Sequence, residues 1–260
     1  MPTFRLTEGD LHYVELGAGP TLVLLHGWPV SSVYWREDAQ ALASHFRVLA
    51  VDLPGFGRSF EPREAGCSIG IQARRMAEFI RGVANGPVSL LGHSMGGMIA
   101  ARLAATQPEL VERMILLAAP LEGTTALSFL GMMGRFAPIR WFVTGALRLA
   151  PIRSAVAPWF AHAIRVPDEV LHAAGIGSST AIRTALESLT HDCTRAHLQA
   201  IRCPTLFIAA DRDLVVHPLQ ALLAKGWIPG CRLEVFRDCG HCPNLEYPGL
   251  FRDLLREFLG

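Results

Sequence analysis

Short runs made almost wholly of apolar residues alternate along the chain with longer stretches whose apolar residues recur at helical spacing. Runs such as Thr21–Leu25 and Val88–Leu91 lack a polar face, which is typical of strands buried on both sides of a parallel sheet. Residues 69–84 and 95–106 have the spacing of helices that pack on such a sheet, and Ser68 is a suitable N-cap for the first of them. The alternation therefore predicts the α/β class, with helices on both faces of the sheet.

The same pattern defines the expected elements from end to end. The first two strands should form an antiparallel pair that turns at Gly9 and Asp10, and most of the others should be parallel. The strands are predicted at Phe4–Thr7, Leu11–Leu16, Thr21–Leu25, Phe46–Val51, Val88–Leu91, Met114–Ala118, Thr205–Ala209 and Leu233–Phe236, and the helices at about 32–44, 69–84, 95–106, 216–225 and 247–258. We therefore expect an eight-stranded, mostly parallel sheet.

The alternation of strands and helices is interrupted once, between Leu121 and Ala200. This segment has apolar, helix-like stretches separated by prolines but no strand pattern. An insertion between two strands can place helices over the carboxyl edge of the sheet, where open α/β sheets bind their ligands. We therefore expect a core formed by residues 1–120 and 201–260, and a helical cap formed by residues 121–200.

The composition excludes several classes of protein. Of the 260 residues, 50% are hydrophobic and 18% are charged, which is typical of a globular protein. The net charge of +1 provides no overall field that would attract nucleic acid or an anionic membrane. Residues 1–10 lack the apolar run of a signal peptide, and no stretch reaches the ~18 continuous apolar residues of a membrane span. We expect a soluble cytoplasmic protein whose six cysteines are thiols.

The sequence GHSMGG (residues 92–97) lies between a strand pattern and a helix pattern. It fits G-x-S-x-G, the nucleophile elbow, in which a serine occupies a tight turn from strand to helix. The turn needs small neighbours two residues from the serine, because the strand and the helix approach closely there. The helix N-terminus then directs free N–H groups at a developing oxyanion. Ser94 is therefore the candidate nucleophile.

A serine hydroxyl needs a general base near neutral pH, and His241 is the candidate among the ten histidines. It follows the last predicted strand, whereas His26 and His93 lie within other motifs. Cys239 and Cys242 flank it in CGHC, a spacing also found in thiol–disulfide exchange proteins. Such motifs open a helix that lowers the thiol pKa, and this one is predicted in a loop, so the hydrolytic role is preferred.

An acid must hold the imidazole in the correct tautomer and stabilise the imidazolium. The preceding strand ends at Asp211-Arg212-Asp213, so two carboxylates compete for this role. Asp213 lies further out in the loop, where it can reach His241, and it is the preferred acid. Asp211 is expected to brace the loop or to pair with Arg212, and Glu122 is a weaker alternative.

An oxyanion hole needs two backbone N–H groups. Met95, directly after the candidate nucleophile, supplies one of them. The other should come from the loop after the strand TLVLL, and Trp28 is our choice there. Trp28 can also serve only as a packing residue.

Five motifs, in this order and spacing, resemble those of the α/β-hydrolase superfamily. They are LLHGWP, DLPGFGRS, GHSMGG, ADRD and GHCPNLE. The resemblance covers residues 1–120 and 200–260, and it is nearest to the esterase, haloperoxidase-like and epoxide-hydrolase-like branch. It implies the α/β-hydrolase fold and agrees with a triad of Ser94, Asp213 and His241.

The members of this branch differ at positions that can be compared. Epoxide hydrolases and haloalkane dehalogenases use an aspartate where this chain has Ser94, and no tyrosine lies in the predicted cap to protonate an epoxide. Hydroxynitrile lyases have a lysine where this chain has Cys242. The pattern therefore predicts hydrolysis of an ester, thioester or lactone without cofactor or metal. The alternatives are hydrolysis of a carbon–carbon bond in a β-diketone and a ligand-binding member without catalysis.

The predicted cap combines apolar residues with arginines. The apolar residues predict a pocket for an acyl or alicyclic part of a small-molecule ester. Those expected to line it are Met132, Met133, Phe136, Trp141, Phe142 and Trp159. Between Leu121 and Pro167 the only acid is Glu122, against Arg135, Arg140, Arg148, Arg153 and Arg165. These arginines can receive an acidic acyl carrier or a substrate carboxylate, or they can simply face solvent.

Overall fold

The computed structural model describes residues 2–62, 66–121, 137–146, 149–156, 158, 161–162, 166–174, 177–189 and 195–260. These residues contain an eight-stranded sheet in the order β1-β2-β4-β3-β5-β6-β7-β8. The strands are β1 (Thr3–Arg5), β2 (Asp10–Leu16), β3 (Thr21–Leu25), β4 (Arg47–Val51), β5 (Val88–His93), β6 (Val111–Leu117), β7 (Thr205–Ala210) and β8 (Arg232–Phe236). β2 is antiparallel to both of its neighbours, and all the other pairs are parallel. The predicted eight-stranded, mostly parallel sheet is confirmed.

Helices cover both faces of this sheet. They are α1 (Arg36–Leu42), α2 (Ile69–Val83), α3 (Met95–Thr106), α4 (Ala137–Ala146), α5 (Ala150–Val156), α6 (Asp168–Ala173), α7 (Ser179–Ser188), α8 (Arg195–Ala200), α9 (Gln220–Trp227), α10 (Pro243–Glu246) and α11 (Pro248–Leu259), with 3₁₀ helices at Ser32–Trp35 and Pro108–Leu110. The Ser68 side chain accepts the Ile71 N–H at 3.4 Å, so Ser68 is the N-cap of α2, as predicted. None of the described helices has both the length and the apolar character needed to cross a bilayer.

Strand β3 shows why the central strands have no polar face. Its alternate residues enter two different apolar clusters, because successive side chains of a strand point to opposite faces of the sheet. Leu22 and Leu24 belong to the cluster that includes residues of α1 and α11, whereas Val23 and Leu25 pack with residues of α2 and α3. The sheet is therefore buried on both faces, and ligands can reach it only at its edges.

Helix boundaries differ from the predicted ones at three places. The helix predicted at 32–44 is a 3₁₀ turn followed by α1. The helix predicted at 216–225 begins only at Gln220, because the residues before it wrap around the carboxylate of Asp213. The helix predicted at 247–258 is preceded by the separate short helix α10.

The inserted segment (residues 121–200) contributes α4 to α8 and meets the rest of the chain beside the loops that follow β3 and β4. The indole N–H of Trp28, after β3, donates to the Ile182 carbonyl of α7 at 2.8 Å. Phe56, after β4, forms an isolated backbone bridge with Gly177. These contacts place α7 at the carboxyl edge of the sheet.

Candidate active site

The turn between β5 and α3 holds Ser94 in an unusual conformation. Its φ is 52° and its ψ is −115°, a combination that non-glycine residues rarely adopt. Such a conformation costs on the order of 1–3 kcal/mol and persists only where the surroundings enforce it. Here the Ser94 N–H donates to the Leu117 carbonyl at 2.8 Å, and the side chain is almost fully buried. The strain therefore lies at the residue predicted to be the nucleophile.

Three glycines make this turn possible. A Cβ on Gly92 would clash with the backbone of Gly96, and a Cβ on Gly96 would clash with the carbonyl of Leu25. A Cβ on Gly97 would clash with the Cβ of Ala119, which follows β6. Since any larger residue would separate α3 from β3 and β5, the spacing G-x-S-x-G follows directly from this packing.

His241 and Asp213 lie together at the carboxyl edge, both buried. The Nδ1 of His241 is 2.7 Å from one carboxylate oxygen of Asp213. The other carboxylate oxygen accepts the N–H groups of Val215 and Val216, each at 2.8 Å. A carboxylate fixed in this way accepts a hydrogen bond from Nδ1–H, so that the ring proton stays on Nδ1 and Nε2 of His241 remains the unprotonated, basic nitrogen.

The competing carboxylate, Asp211, points elsewhere. It accepts the N–H of Cys239 at 3.4 Å and forms an ion pair with Arg237 at 3.9 Å. It therefore braces the loop after β8, as expected. Arg212, the alternative partner expected for Asp211, forms an ion pair with Asp238 at 3.6 Å. Glu122, the weaker alternative, lies outside the described residues.

The loop at residues 26–29 runs past Ser94. A Cβ on Gly27 would lie 3.2 Å from the Cβ of Ser94, so the backbone of this loop is in contact with the elbow. In the described part of the chain, neither the Trp28 N–H nor the Met95 N–H donates to a backbone or side-chain acceptor. Both predicted oxyanion donors thus lie next to Ser94 along the two chain segments that meet there.

His26 holds the same loop through hydrogen bonds of both its ring nitrogens. Its Nε2 accepts the N–H of Leu53 at 3.0 Å, so the proton must be on Nδ1, which donates to the Gly27 carbonyl at 2.8 Å. Burial lowers the pKa of His26, which favours this neutral form. His26 therefore has a supporting role that the sequence left unassigned.

Glu246 is a further residue to which the sequence assigned no role, although it ends the quoted motif GHCPNLE. Its buried carboxylate accepts the N–H of Gly240 at 2.9 Å and the N–H of His162, in the inserted segment, at 2.8 Å. It also accepts the Cys242 N–H at 3.4 Å. The sequence signal for this role is an acidic residue a few positions after the loop histidine. Loop N–H groups that are not paired within a strand or helix need another acceptor when they are buried.

Two of the predicted pocket residues lie within the described part of the chain. Trp141 and Phe142 are 60% and 75% exposed on α4, and their place in a substrate pocket stays a prediction. The guanidinium of Arg183 lies over the Trp141 ring, 4.3 Å from the ring centroid. The other four lie outside the described residues: Met132, Met133, Phe136 and Trp159.

A cavity of about 750 Å³ lies away from the elbow, between β2, α1 and α6. Its walls include the apolar Val14 and Leu16 and the polar Arg58 and His172. None of the residues predicted for the active site lines it. This cavity is therefore separate from the predicted active site around Ser94.

The two cysteines beside His241 are free thiols. Cys242 directly precedes α10, a helix that the sequence did not predict there. Burial nevertheless raises the pKa of both Cys239 and Cys242, the opposite of what thiol–disulfide exchange requires. Among the described residues, no group of three or more His, Cys, Asp or Glu side chains is arranged to hold a metal ion.

The chain is similar to known proteins along most of its length. The model of the alpha/beta hydrolase family matches residues 22–254. A pimeloyl-(acyl-carrier protein) methyl ester esterase from Nitrosospira multiformis is 30% identical over 254 residues, covering 92% of this chain and 94% of that protein. Bifunctional epoxide hydrolase 2 from Sus scrofa is 26% identical, and the match spans 96% of this chain but 53% of that protein. The structure of an esterase from Exiguobacterium antarcticum superposes with a TM-score of 0.87 at 25% identity, over 96% of both chains.

Proposed function

Because the chain belongs to the α/β-hydrolase family, we propose that it hydrolyses a carboxylic ester through an acyl-enzyme formed on Ser94. The observation that carries this proposal is the 2.7 Å contact between His241 and Asp213, at the same sheet edge as the strained Ser94. The esterases among its relatives support the reaction class, and the serine in place of an aspartate supports acyl transfer.

In the proposed mechanism, the Ser94 Oγ attacks the ester carbonyl carbon while Nε2 of His241 takes the hydroxyl proton. The carbonyl oxygen becomes an oxyanion, which the N–H groups of Met95 and Trp28 stabilise. The intermediate then collapses, and the C–O bond to the alcohol breaks as His241 returns the proton to the departing oxygen. A water molecule, deprotonated by His241, attacks the acyl-enzyme in the same way and releases the carboxylic acid and free Ser94.

We propose further that the inserted segment acts as a cap that selects the substrate. Its apolar sequence suits an acyl chain. The part of it before Pro167 has five arginines and a single acid, Glu122, which suits an acidic partner. The relative from Nitrosospira multiformis acts on a methyl ester carried by an acyl carrier protein. The substrate proposed for this chain is therefore an acyl ester, either free or bound to an acidic acyl carrier.

We expect the purified protein to turn over a short p-nitrophenyl ester, since this substrate needs only the nucleophile, the base and the oxyanion donors. Release of p-nitrophenol should be catalytic, with a turnover on the order of 1 s⁻¹ or faster. The absorbance of the released p-nitrophenol at 400 nm is a sufficient measurement, because product accumulates over many turnovers. Release no faster than in the absence of protein, without a burst of one equivalent, would instead favour a ligand-binding member of the family.

Salt distinguishes a carrier-bound substrate from a free one. Between about 0.1 M and about 1 M salt the Debye length falls from about 10 Å to about 3 Å, which screens contacts between arginines and an acidic carrier. We expect kcat/KM for a methyl ester on an acyl carrier protein to fall about 10-fold or more. For the matched small, neutral methyl ester it should change less than about 2-fold. Equal salt responses of the two substrates would show that the arginines only face solvent.

A further inference from the structure

His93, the residue before Ser94, has no assigned role in the chemistry. It lies at the end of β5 with only 5% of its surface exposed. Its Nε2 is 2.9 Å from the backbone carbonyl oxygen of His241. This contact joins two residues that are 148 positions apart, one beside the proposed nucleophile and the other the proposed base.

The chemistry of this contact fixes the tautomer of His93. A carbonyl oxygen can only accept, so Nε2 carries the ring proton and donates a hydrogen bond to the backbone carbonyl of His241. Nδ1 is then left with a lone pair, and it has no hydrogen-bond partner among the described residues. Burial and the neighbouring His241 ring both hold the pKa of His93 well below its usual value, which favours the neutral ring.

The plane of the His93 ring is fixed by aromatic neighbours. The Tyr34 ring stacks on it with a centroid distance of 4.6 Å and an interplanar angle of 16°, and the Trp35 ring meets it edge-on at 6.4 Å. Such contacts restrict an aromatic side chain to one orientation. The Nε2–H bond of His93 is therefore directed at one point in space, the carbonyl of His241.

Tyr34 also holds the His241 loop by a second route. Its hydroxyl donates to the side-chain carbonyl of Asn244 at 2.6 Å, and the Asn244 amide donates to Asp38 at 2.9 Å. Arg252 completes this buried chain by donating to Asp38 at 2.8 Å. The loop is thus held at Asn244 by the Tyr34 hydroxyl and at His241 by the His93 ring, which stacks on Tyr34.

We propose that His93 is a positioning residue, which holds the main chain of His241 so that its imidazole is presented to Ser94. This inference rests on the proposed function, because it assigns His93 a task only if His241 is the base. Asp213 orients the ring of His241, and His93 fixes the backbone that carries that ring. A misplacement of about 1 Å costs such a site about 10²-fold in rate.

A matched pair of substitutions tests this role. The amide nitrogen of glutamine lies about as far along the side chain as Nε2 of histidine, whereas that of asparagine lies closer to the backbone. His93→Gln should therefore keep the bond to His241, and His93→Asn should lose it. We expect kcat for a p-nitrophenyl ester to fall about 10- to 100-fold in His93→Asn, with KM changed less than about 2-fold, and His93→Gln to restore most of it.

Two further measurements make the outcome decisive. Labelling of Ser94 by a fluorophosphonate should slow in parallel with kcat in His93→Asn, and the exposed His45→Asn serves as a control that should behave as wild type. Nitrogen NMR of the wild-type protein should show the proton of His93 on Nε2, a readout that does not depend on how the variants fold.

Each outcome has one interpretation. Equal rates for His93→Asn and the wild type, similar losses in His93→Gln and His93→Asn, or a proton on Nδ1 of His93 would overturn the inference and leave the proposed function intact. A wild-type protein that neither reacts with fluorophosphonate nor turns over the ester would overturn both.

Discussion

Replacing Ser94 with alanine is expected to lower kcat by at least about 10⁴-fold, because the substitution removes the only atom that forms the acyl bond in the proposed mechanism. The protein should remain folded. The Ser94 side chain makes no capping hydrogen bond to α3, so its loss removes no such bond from the native state. The melting temperature should therefore stay close to that of the wild type. Ester hydrolysis, thermal unfolding and fluorophosphonate labelling of both proteins measure the two effects separately.

Ser89 provides a matched control for this variant. It is a buried serine on the same strand, β5, five residues before the elbow. Ser89→Ala should keep its activity and its labelling, and mass spectrometry should find the label of the wild type on Ser94 alone. Activity that survives in Ser94→Ala, or a label on another residue, would refute the assignment of the nucleophile.

Asp213→Asn is expected to lower kcat by about 10³- to 10⁴-fold. The asparagine amide can donate where the carboxylate only accepted, so the neighbouring nitrogen of His241 no longer needs to carry its proton. The imidazole then loses the tautomer that leaves Nε2 basic, and the imidazolium loses its counter-charge. The effect should be on kcat, since Asp213 is placed to contact His241 rather than the substrate.

Asp211→Asn is the matched control, because it makes the same chemical change two residues away. Asp211 only braces the neighbouring loop through a 3.4 Å contact to Cys239 and a long ion pair, so we expect less than about a 10-fold effect on kcat. A larger loss in Asp211→Asn than in Asp213→Asn would reverse the assignment of the acid. If neither substitution lowers kcat, Glu122 becomes the candidate acid.

Local patterns were sufficient to predict most of the fold. The strands of the sheet are recognisable from short apolar runs such as Thr21–Leu25, because burial on both faces excludes polar residues. The elbow is equally local, since the clash of any Cβ at Gly92 or Gly96 confines that turn to glycine. The choice of Asp213 over Asp211 rested on loop reach, and the distance of 2.7 Å to His241 is the contact that this argument predicted.

Contacts between distant segments could not be predicted in the same way. The bond between His93 and His241 depends on how two strand ends meet across the sheet, and neither residue signals it alone. The exposure of Trp141 and Phe142 was missed for a related reason. An apolar helix pattern indicates that a face can be buried, but which face points inward depends on packing partners elsewhere in the chain.

The attachments of the inserted segment have a consequence for how this protein can diverge. Trp28 donates to the main-chain carbonyl of Ile182, Glu246 accepts the main-chain N–H of His162, and Gly177 is joined to the core by a backbone bridge. Backbone groups are present whatever the side chain, apart from the N–H that proline lacks. Mutations can therefore change the side chains of this segment, and with them the range of substrates if the proposed cap role holds, while these three attachments to the rest of the chain persist. In these residues of the inserted segment, the side-chain atoms are free to vary, whereas the backbone atoms keep the segment attached.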